Sequence, residues 1–134
     1  MRRPLLFVLL ALTAVTALAQ VTVGIREWDV PWKDTRPRDP AVDAAGRVWF
    51  VGQTGHYIGR LDPATGKFDR FELEPGAGPH NLIVGADGGI WFAGNRKAYI
   101  GRLDPKSGAI RKFPMPNPAA GDPHTLVQAP SGDI

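Results

Sequence analysis

YIGRLDP, residues 57–63, recurs letter for letter at residues 99–105, and the interval of 42 residues between the copies decides the fold. The same interval carries Gly46 onto Gly88, Trp49-Phe50 onto Trp91-Phe92, Gly52 onto Gly94, Gly66 onto Gly108 and Phe71 onto Phe113. A third copy starts late: Pro79-His80 returns as Pro123-His124 and Gly88 as Gly132, at an interval of 44. Two extra residues within PMPNPAAGDP, residues 114–123, account for the difference.

Each unit reads as four short strands divided by turns. HNLIVGA (80–86) is short and apolar, GIWFAG (89–94) follows an Asp-Gly turn signal, YIGRL (99–103) comes next, and GAIRKFPM (108–115) closes the unit after DPKSG (104–108). In both Asp-Pro-x-Thr/Ser-Gly stretches proline presets φ at the second turn position and glycine accepts positive φ at the end, so Asp62 and Asp104 are turn residues. No stretch sustains a helical period. Four strands in 42 residues is the size of a β-propeller blade, and repeats of that architecture run to about 40–45 residues. Blades stack face to face, which explains runs such as LIV and IWF, where one wet face would require strict alternation.

The chain has 134 residues, 16 basic and 13 acidic, with no cysteine. Gly 16 and Pro 13 with four tryptophans describe a turn-rich folded protein whose core must form without disulfides. MRRPLLFVLLALTAVTALAQ opens with two arginines, continues apolar to Ala19 and ends in Ala17-Leu18-Ala19, the pattern of a signal peptide cleaved between Ala19 and Gln20. Fifteen apolar residues fall short of the ~20 that span a bilayer. The expected product is periplasmic or extracellular, with no membrane contact after cleavage. Without Arg2 and Arg3 only one basic residue remains in excess of the acidic ones, so the sequence pI of 9.6 does not indicate nucleic acid.

The expected organisation is a leader over 1–19 and propeller over 20–134, with an outer strand at 21–30, repeat one at 37–73, repeat two at 79–115 and a partial repeat three at 123–134. IREWDVP (25–31) aligns with FDRFELE (68–74) and IRKFPMP (110–116), so the chain is expected to begin with a fourth strand donated to another blade. After the leader the chain holds about 2.7 such units, whereas propellers close with ~4–8 blades. The reading is an N-terminal portion of a longer propeller, whose remaining blades are its first partner.

The second unit, GPHNLIVGADGGIWFAGNRKAYIGRLDPKSGAIRKFPMP, resembles a blade of the virginiamycin B lyase (streptogramin lyase) family, whose repeats read Pro-His-Gly-Ile, Asp-Gly-x-Leu-Trp-Phe, Ile-Gly-Arg and an aromatic residue before Pro-Leu-Pro. The likeness covers essentially all of the chain after the leader. It implies a seven-bladed propeller and a Mg²⁺-dependent carbon–oxygen lyase that opens cyclic streptogramin B antibiotics by β-elimination at an ester, without water. Such chemistry needs a base for a proton α to a carbonyl and positive charge for the developing enolate. The family places its catalytic histidine in a Pro-His-x-Ile segment facing the central channel, with glutamates nearby, in later blades than these.

His80 in PHNL and His124 in PHTL match that local motif and are the catalytic candidates, with a structural role at the inner strand as their bland reading. Two departures stand out. Arg38 occupies in unit one the place of His80, and the family's Trp-Phe-Thr-Glu is here WFVG and WFAG, with Gly52 and Gly94 for Glu. Arg38 and Trp32, which break the repeat, are candidate ligand contacts. His56 reads as a surface-loop residue, Trp49 and Trp91 as core, and Arg60 and Arg102 as blade-to-blade polar contacts. A cyclic peptide or small molecule is the expected ligand. The alternatives are a non-catalytic ligand- or protein-binding propeller and a gluconolactonase-like metal-dependent hydrolase, for which these residues supply no convincing ligand set.

Overall fold

The computed structural model describes residues 23–117 and 119–134. The leader, with the start of the expected outer strand, lies outside the described residues. Among them, no helix is long and apolar enough to cross a membrane.

Two four-stranded antiparallel sheets form, each an up-and-down meander. The first comprises β1 (Pro37–Val42), β2 (Val48–Gly52), β3 (Tyr57–Asp62) and β4 (Lys67–Glu72), hydrogen-bonded in that order. The second repeats it with β5 (Leu82–Val84), β6 (Ile90–Gly94), β7 (Tyr99–Leu103) and β8 (Ile110–Pro114). Registers match unit for unit: Trp49 opposes Arg60 and Trp91 opposes Arg102, while Ile58 opposes Phe71 and Ile100 opposes Phe113. A single 3₁₀ turn, Asn95–Lys97, joins β6 to β7.

The β1–β2 and β5–β6 turns show why the Gly-rich positions recur. Asp43 N donates to Arg47 O with Gly46 at φ +76°, and Gly85 N donates to Gly89 O with Gly88 at φ +74°. The same turn forms in unit three, where Ala129 N donates to Asp133 O and Gly132 has φ +96°. Unit three has its turn but no strand, and it is held by side chains: Asn81 Oδ1 accepts from Leu126 N at 2.8 Å, and Asn95 Nδ2 donates to Pro123 O at 3.0 Å.

The core lies between the two sheets. One face of the first blade brings Trp49, Val51 and Ile58 against Leu82, Ile90, Phe92 and Leu103 of the second, so residues flanking each other in IWF point into different interfaces. Trp49 is fully buried and stacks on Phe71 at 5.6 Å, as Trp91 does on Phe113. Burying side chains of this size contributes about 1.5–3 kcal/mol each, offset by ordering entropy.

Residues 23–30 differ from the expected strand, because they make no ladder hydrogen bonds. Trp28 and Val30 nevertheless lie against the outer face of the first blade, while Val23 and Ile25 are exposed. Trp28 packs over Gly66, where an added Cβ would stand 3.7 Å from its ring, just as Phe71 packs over Gly108, where it would stand 3.6 Å away, and Trp28 is the residue that the alignment pairs with Phe71.

Candidate functional site

The inner strands β1 and β5 are neighbours across the blade interface, and each begins with an irregularity that aims side chains at the same end of the molecule. In β1 the register shifts between Arg38 and Ala41, so Asp39 and Pro40 form a bulge opposite Phe50. Asp39 sits at φ +49°, a conformation its short polar side chain tolerates. In unit two, His80 N donates to Ala93 O while Ala93 N donates to Asn81 O, holding the histidine at the matching place.

Arg38, His80 and His124, one from each unit, thereby converge. The rings of His80 and His124 lie 3.3 Å apart, centroid to centroid, tilted by 40°. Asp39 Oδ2 is 3.7 Å from His80 Nδ1 and 3.7 Å from Arg38 Nε, too long for a hydrogen bond in either case. Arg38 Nη1 donates to Gln53 Oε1 at 3.3 Å. His80 is 7% exposed, and its buried Nδ1 has no hydrogen-bond partner; the Arg38 Nε is likewise buried and unbonded. Burial, then the Arg38 guanidinium and His124, hold the His80 imidazole below the usual histidine range against the opposing pull of Asp39 and Asp122. His80 is therefore a neutral imidazole near pH 7, with a ring nitrogen able to accept or donate.

Trp32 is engaged elsewhere. It packs edge-on against Tyr57 at 4.9 Å and Phe68 at 5.9 Å, with the Arg70 guanidinium 5.4 Å from its ring. The matching place beside Tyr99 is taken by Glu74, which pairs with Lys112 at 2.6 Å and accepts from Tyr99 Oη at 3.3 Å. Trp32–Arg70–Tyr57 in unit one and Glu74–Lys112–Tyr99 in unit two are two solutions to one packing position, the first by cation–π contact and the second by charge.

These tyrosines explain the glycines that replace the family's glutamate. A Cβ on Gly94 would stand 2.5 Å from both Cε atoms of Tyr99, and a Cβ on Gly52 would collide with Tyr57 in the same way. The rings occupy the space a glutamate side chain would need, and their hydroxyls bond Thr35 and Glu74 instead. Burial, then the Glu74 carboxylate, push the Tyr99 phenol well up, so it stays a donor.

Arg60 and Arg102 require a correction: their ion pairs lie within a blade, not between blades. Arg60 Nη2 meets Asp69 of β4 at 2.6 Å, and Arg102 Nη2 meets Asp87 of the β5–β6 turn at 2.7 Å. The partners differ because Asp69 has become Arg111 in unit two, while Gly89 in place of Arg47 leaves room for Arg102 to reach the turn. A carboxylate also accepts each indole N–H, that of Asp43 from Trp49 at 2.8 Å and that of Asp87 from Trp91 at 3.4 Å, but Trp91, expected in the core, is only partly buried, on the outer face of the second blade. Asp62 and Asp104 cap their turns as expected, accepting from Ala64 N and Lys106 N. His56, in the β2–β3 loop at φ +56°, accepts from Gly78 N at 3.1 Å and so ties the two units together.

The sequence reading singled out Arg38, His80 and His124 but missed Gln53, Asn81 and Asn95, which anchor the same end of the inner strands. Their signal was present in the repeat, since Gln53 and Asn95 share one position and Asp39 and Asn81 another. The set does not suit a divalent cation: among the described residues no three His, Cys, Asp or Glu side chains come together, and a hard ion wants several oxygens.

The geometry can be set beside known proteins. The sequence matches the family described as virginiamycin B lyase over residues 6–134. No curated protein sequence matches the chain. Virginiamycin B lyase from Staphylococcus aureus superposes with a TM-score of 0.73 at 31% identity, covering 80% of this chain and 36% of that one. A streptogramin B lyase structure gives 0.68 at 30% identity, over 73% of this chain and 33% of that one. Hydrazine synthase of Kuenenia stuttgartiensis, at 16% identity and a TM-score of 0.64 over 81% of this chain and 30% of that one, shares the fold alone. The chain thus spans about a third of the length of the lyases it matches. Two stacked four-stranded blades, the likeness to solved lyases and the match along nearly the whole sequence carry one conclusion: this chain belongs to the virginiamycin B lyase family of β-propellers.

Proposed function

We propose that the protein these blades belong to is an exported carbon–oxygen lyase of the streptogramin B type, and that Arg38, His80 and His124 line its ligand site. The observation that carries the proposal is the buried His80 imidazole with an unbonded Nδ1, its ring 3.3 Å from that of His124 and tilted by 40° at one end of the inner strands.

The reaction is a β-elimination. A base removes the proton α to a carbonyl, that electron pair becomes the new carbon–carbon double bond, and the β-carbon–oxygen bond breaks to release the ester carboxylate. In the proposal the base comes from units beyond these two. His80 and His124 offer ring nitrogens to amide N–H groups of a cyclic peptide, and Arg38 Nε donates to a carbonyl. Trp32 supports the blade beneath Arg70, so direct ligand contact falls to Arg38. A Mg²⁺ requirement belongs to the same proposal through the family; these residues supply no set of oxygen ligands for it, and no step is assigned to the ion.

The test incubates the protein with a streptogramin B, with Mg²⁺ and with chelator. Elimination yields a ring-opened product of unchanged mass, His80→Ala and Arg38→Ala raise KM, and chelation abolishes turnover. A product heavier by one water would show a hydrolase, the gluconolactonase-like alternative. A second reading, a ligand-binding propeller without catalysis, is favoured by the tyrosine rings standing where glutamates would. Binding of the intact cyclic peptide without turnover would establish it and overturn the lyase.

A further inference from the structure

Units two and three are fastened by two amide side chains at the end of the inner strands that carries His80 and His124. Asn81 Oδ1 accepts from Leu126 N at 2.8 Å, and Asn95 Nδ2 donates to Pro123 O at 3.0 Å. The same positions in unit one hold Asp39 and Gln53, and both turn toward Arg38 instead. Gln53 Oε1 accepts from Arg38 Nη1 at 3.3 Å, while the Asp39 carboxylate lies 3.7 Å from Arg38 Nε and 3.7 Å from His80 Nδ1. The positions that staple unit two to unit three are thus given over, in unit one, to the ligand site.

Asp39 is kept there against the preference of its backbone. Its φ of +49° is one that glycine takes freely and that other residues adopt only with strain. Its carboxylate does not satisfy the groups beside it: at 3.7 Å it balances the Arg38 charge without bonding Nε, which stays buried and unbonded like His80 Nδ1. Asp122 is the other carboxylate acting on His80, so two negative groups and one guanidinium surround the imidazole, with His124 against its ring. A neutral carbonyl oxygen can accept from Arg38 Nε, and from His80 Nδ1 in the tautomer that carries the proton there. A carboxylate would meet the same donors together with repulsion from Asp39 and Asp122, weakly screened where His80 is only 7% exposed.

We propose that Asp39 is a specificity-determining residue that admits a neutral carbonyl to Arg38 and His80 and turns away a carboxylate. The assignment rests on the lyase reading above: every carbonyl that closes a depsipeptide ring is a neutral ester or amide, whereas elimination at the ester leaves a free carboxylate. Asp39 therefore favours the closed substrate over the opened product and limits product inhibition.

Isothermal titration calorimetry in chelator compares an intact streptogramin B with the linear acid formed by opening its ester. Wild type prefers the ring. Asp39→Asn, which installs the residue that unit two carries at the same position, lowers that preference at least about tenfold by tightening the acid. Asp39→Gly, unstrained at positive φ, does the same if the asparagine variant misfolds or forms a new staple, and circular dichroism checks the strands of both. A second titration needs no antibiotic: acetate, followed through the His80 ring signals by NMR, binds saturably to Asp39→Asn and not to wild type. An unchanged ring-to-acid preference in the folded variants, or one lost only through weaker ring binding, overturns the exclusion. So does acetate that binds wild type as well as the variant, or that binds neither. If neither ring nor acid binds wild type, the ligand class proposed above fails, and the acetate titration alone decides the role of Asp39.

Discussion

Replacing Gly94 by alanine tests the account of why these blades lack the family's glutamate. Gly94 has φ −77° and ψ 65°, so the backbone does not demand glycine, and any cost must come from space. The new Cβ would stand 2.5 Å from both Cε atoms of Tyr99, and ordinary carbon contacts lie near 3.5–4.0 Å, so the ring must move by about 1 Å. Tyr99 is only 4% exposed, meets Phe92 edge-on and donates to Glu74, so it cannot swing aside freely. Overpacking of this kind costs about 1–3 kcal/mol, and the strained hydroxyl contact adds about 1 kcal/mol. Tyr99→Ala alone leaves a cavity worth about 3–5 kcal/mol. In the double variant the methyl group enters that cavity, so the total stays near that of Tyr99→Ala, and the cycle returns a coupling of about 2 kcal/mol or more. Urea unfolding followed by tryptophan fluorescence reads all four corners. A Gly94→Ala variant within 0.5 kcal/mol of wild type, or a strictly additive cycle, would refute the steric coupling.

Other perturbations probe the remaining elements. The His80 pKa is lowered on folding, so its contribution to stability is complete above the ordinary histidine value near 6.5 and is lost as pH falls below it; His80→Phe should flatten that acid loss, and equal pH slopes would contradict the assigned burial. Burial raises the Asp43 carboxyl, but hydrogen bonds from Trp49, Arg47 and Ala45 outweigh it and hold it below the ordinary range. Asp43→Ala should therefore cost about 2 kcal/mol in chemical denaturation and shift the Trp49 emission, with a neutral result counting against the indole–carboxylate bond. Trp49→Ala should cost about 3–5 kcal/mol and Trp91→Ala, on a half-buried face, clearly less, although the two occupy the same repeat position. Equal costs would show that the second free face is as well packed as the interface.

Much of the architecture was legible because it is periodic. Trp49 and Trp91, the Asp-Pro turns and the glycines at 46, 88 and 132 obey local rules, since a turn needing positive φ selects glycine whatever surrounds it. The spacing of the two YIGRLDP copies specified four strands per unit, and the apolar runs specified that the two sheets pack face to face. The candidate residues Arg38, His80 and His124 were visible for the same reason, as one position sampled three times. What periodicity could not reveal is how nonequivalent residues substitute for one another. Arg60 and Arg102 share a position yet find different carboxylates, because Asp69 and Asp87 sit at different places in their units. Glu74 and Trp32 fill equivalent places in space with no chemistry in common, and only the Tyr99 and Tyr57 rings beside them explain both. The sequence alone determined the blade, because hydrogen-bonded ladders and turns depend on neighbours close in the chain. Only tertiary structure decided that His80 meets His124 and Asp39, that Trp28 stands over Gly66, and that tyrosine rings displace the glutamates, because those outcomes depend on side chains from different units sharing one volume.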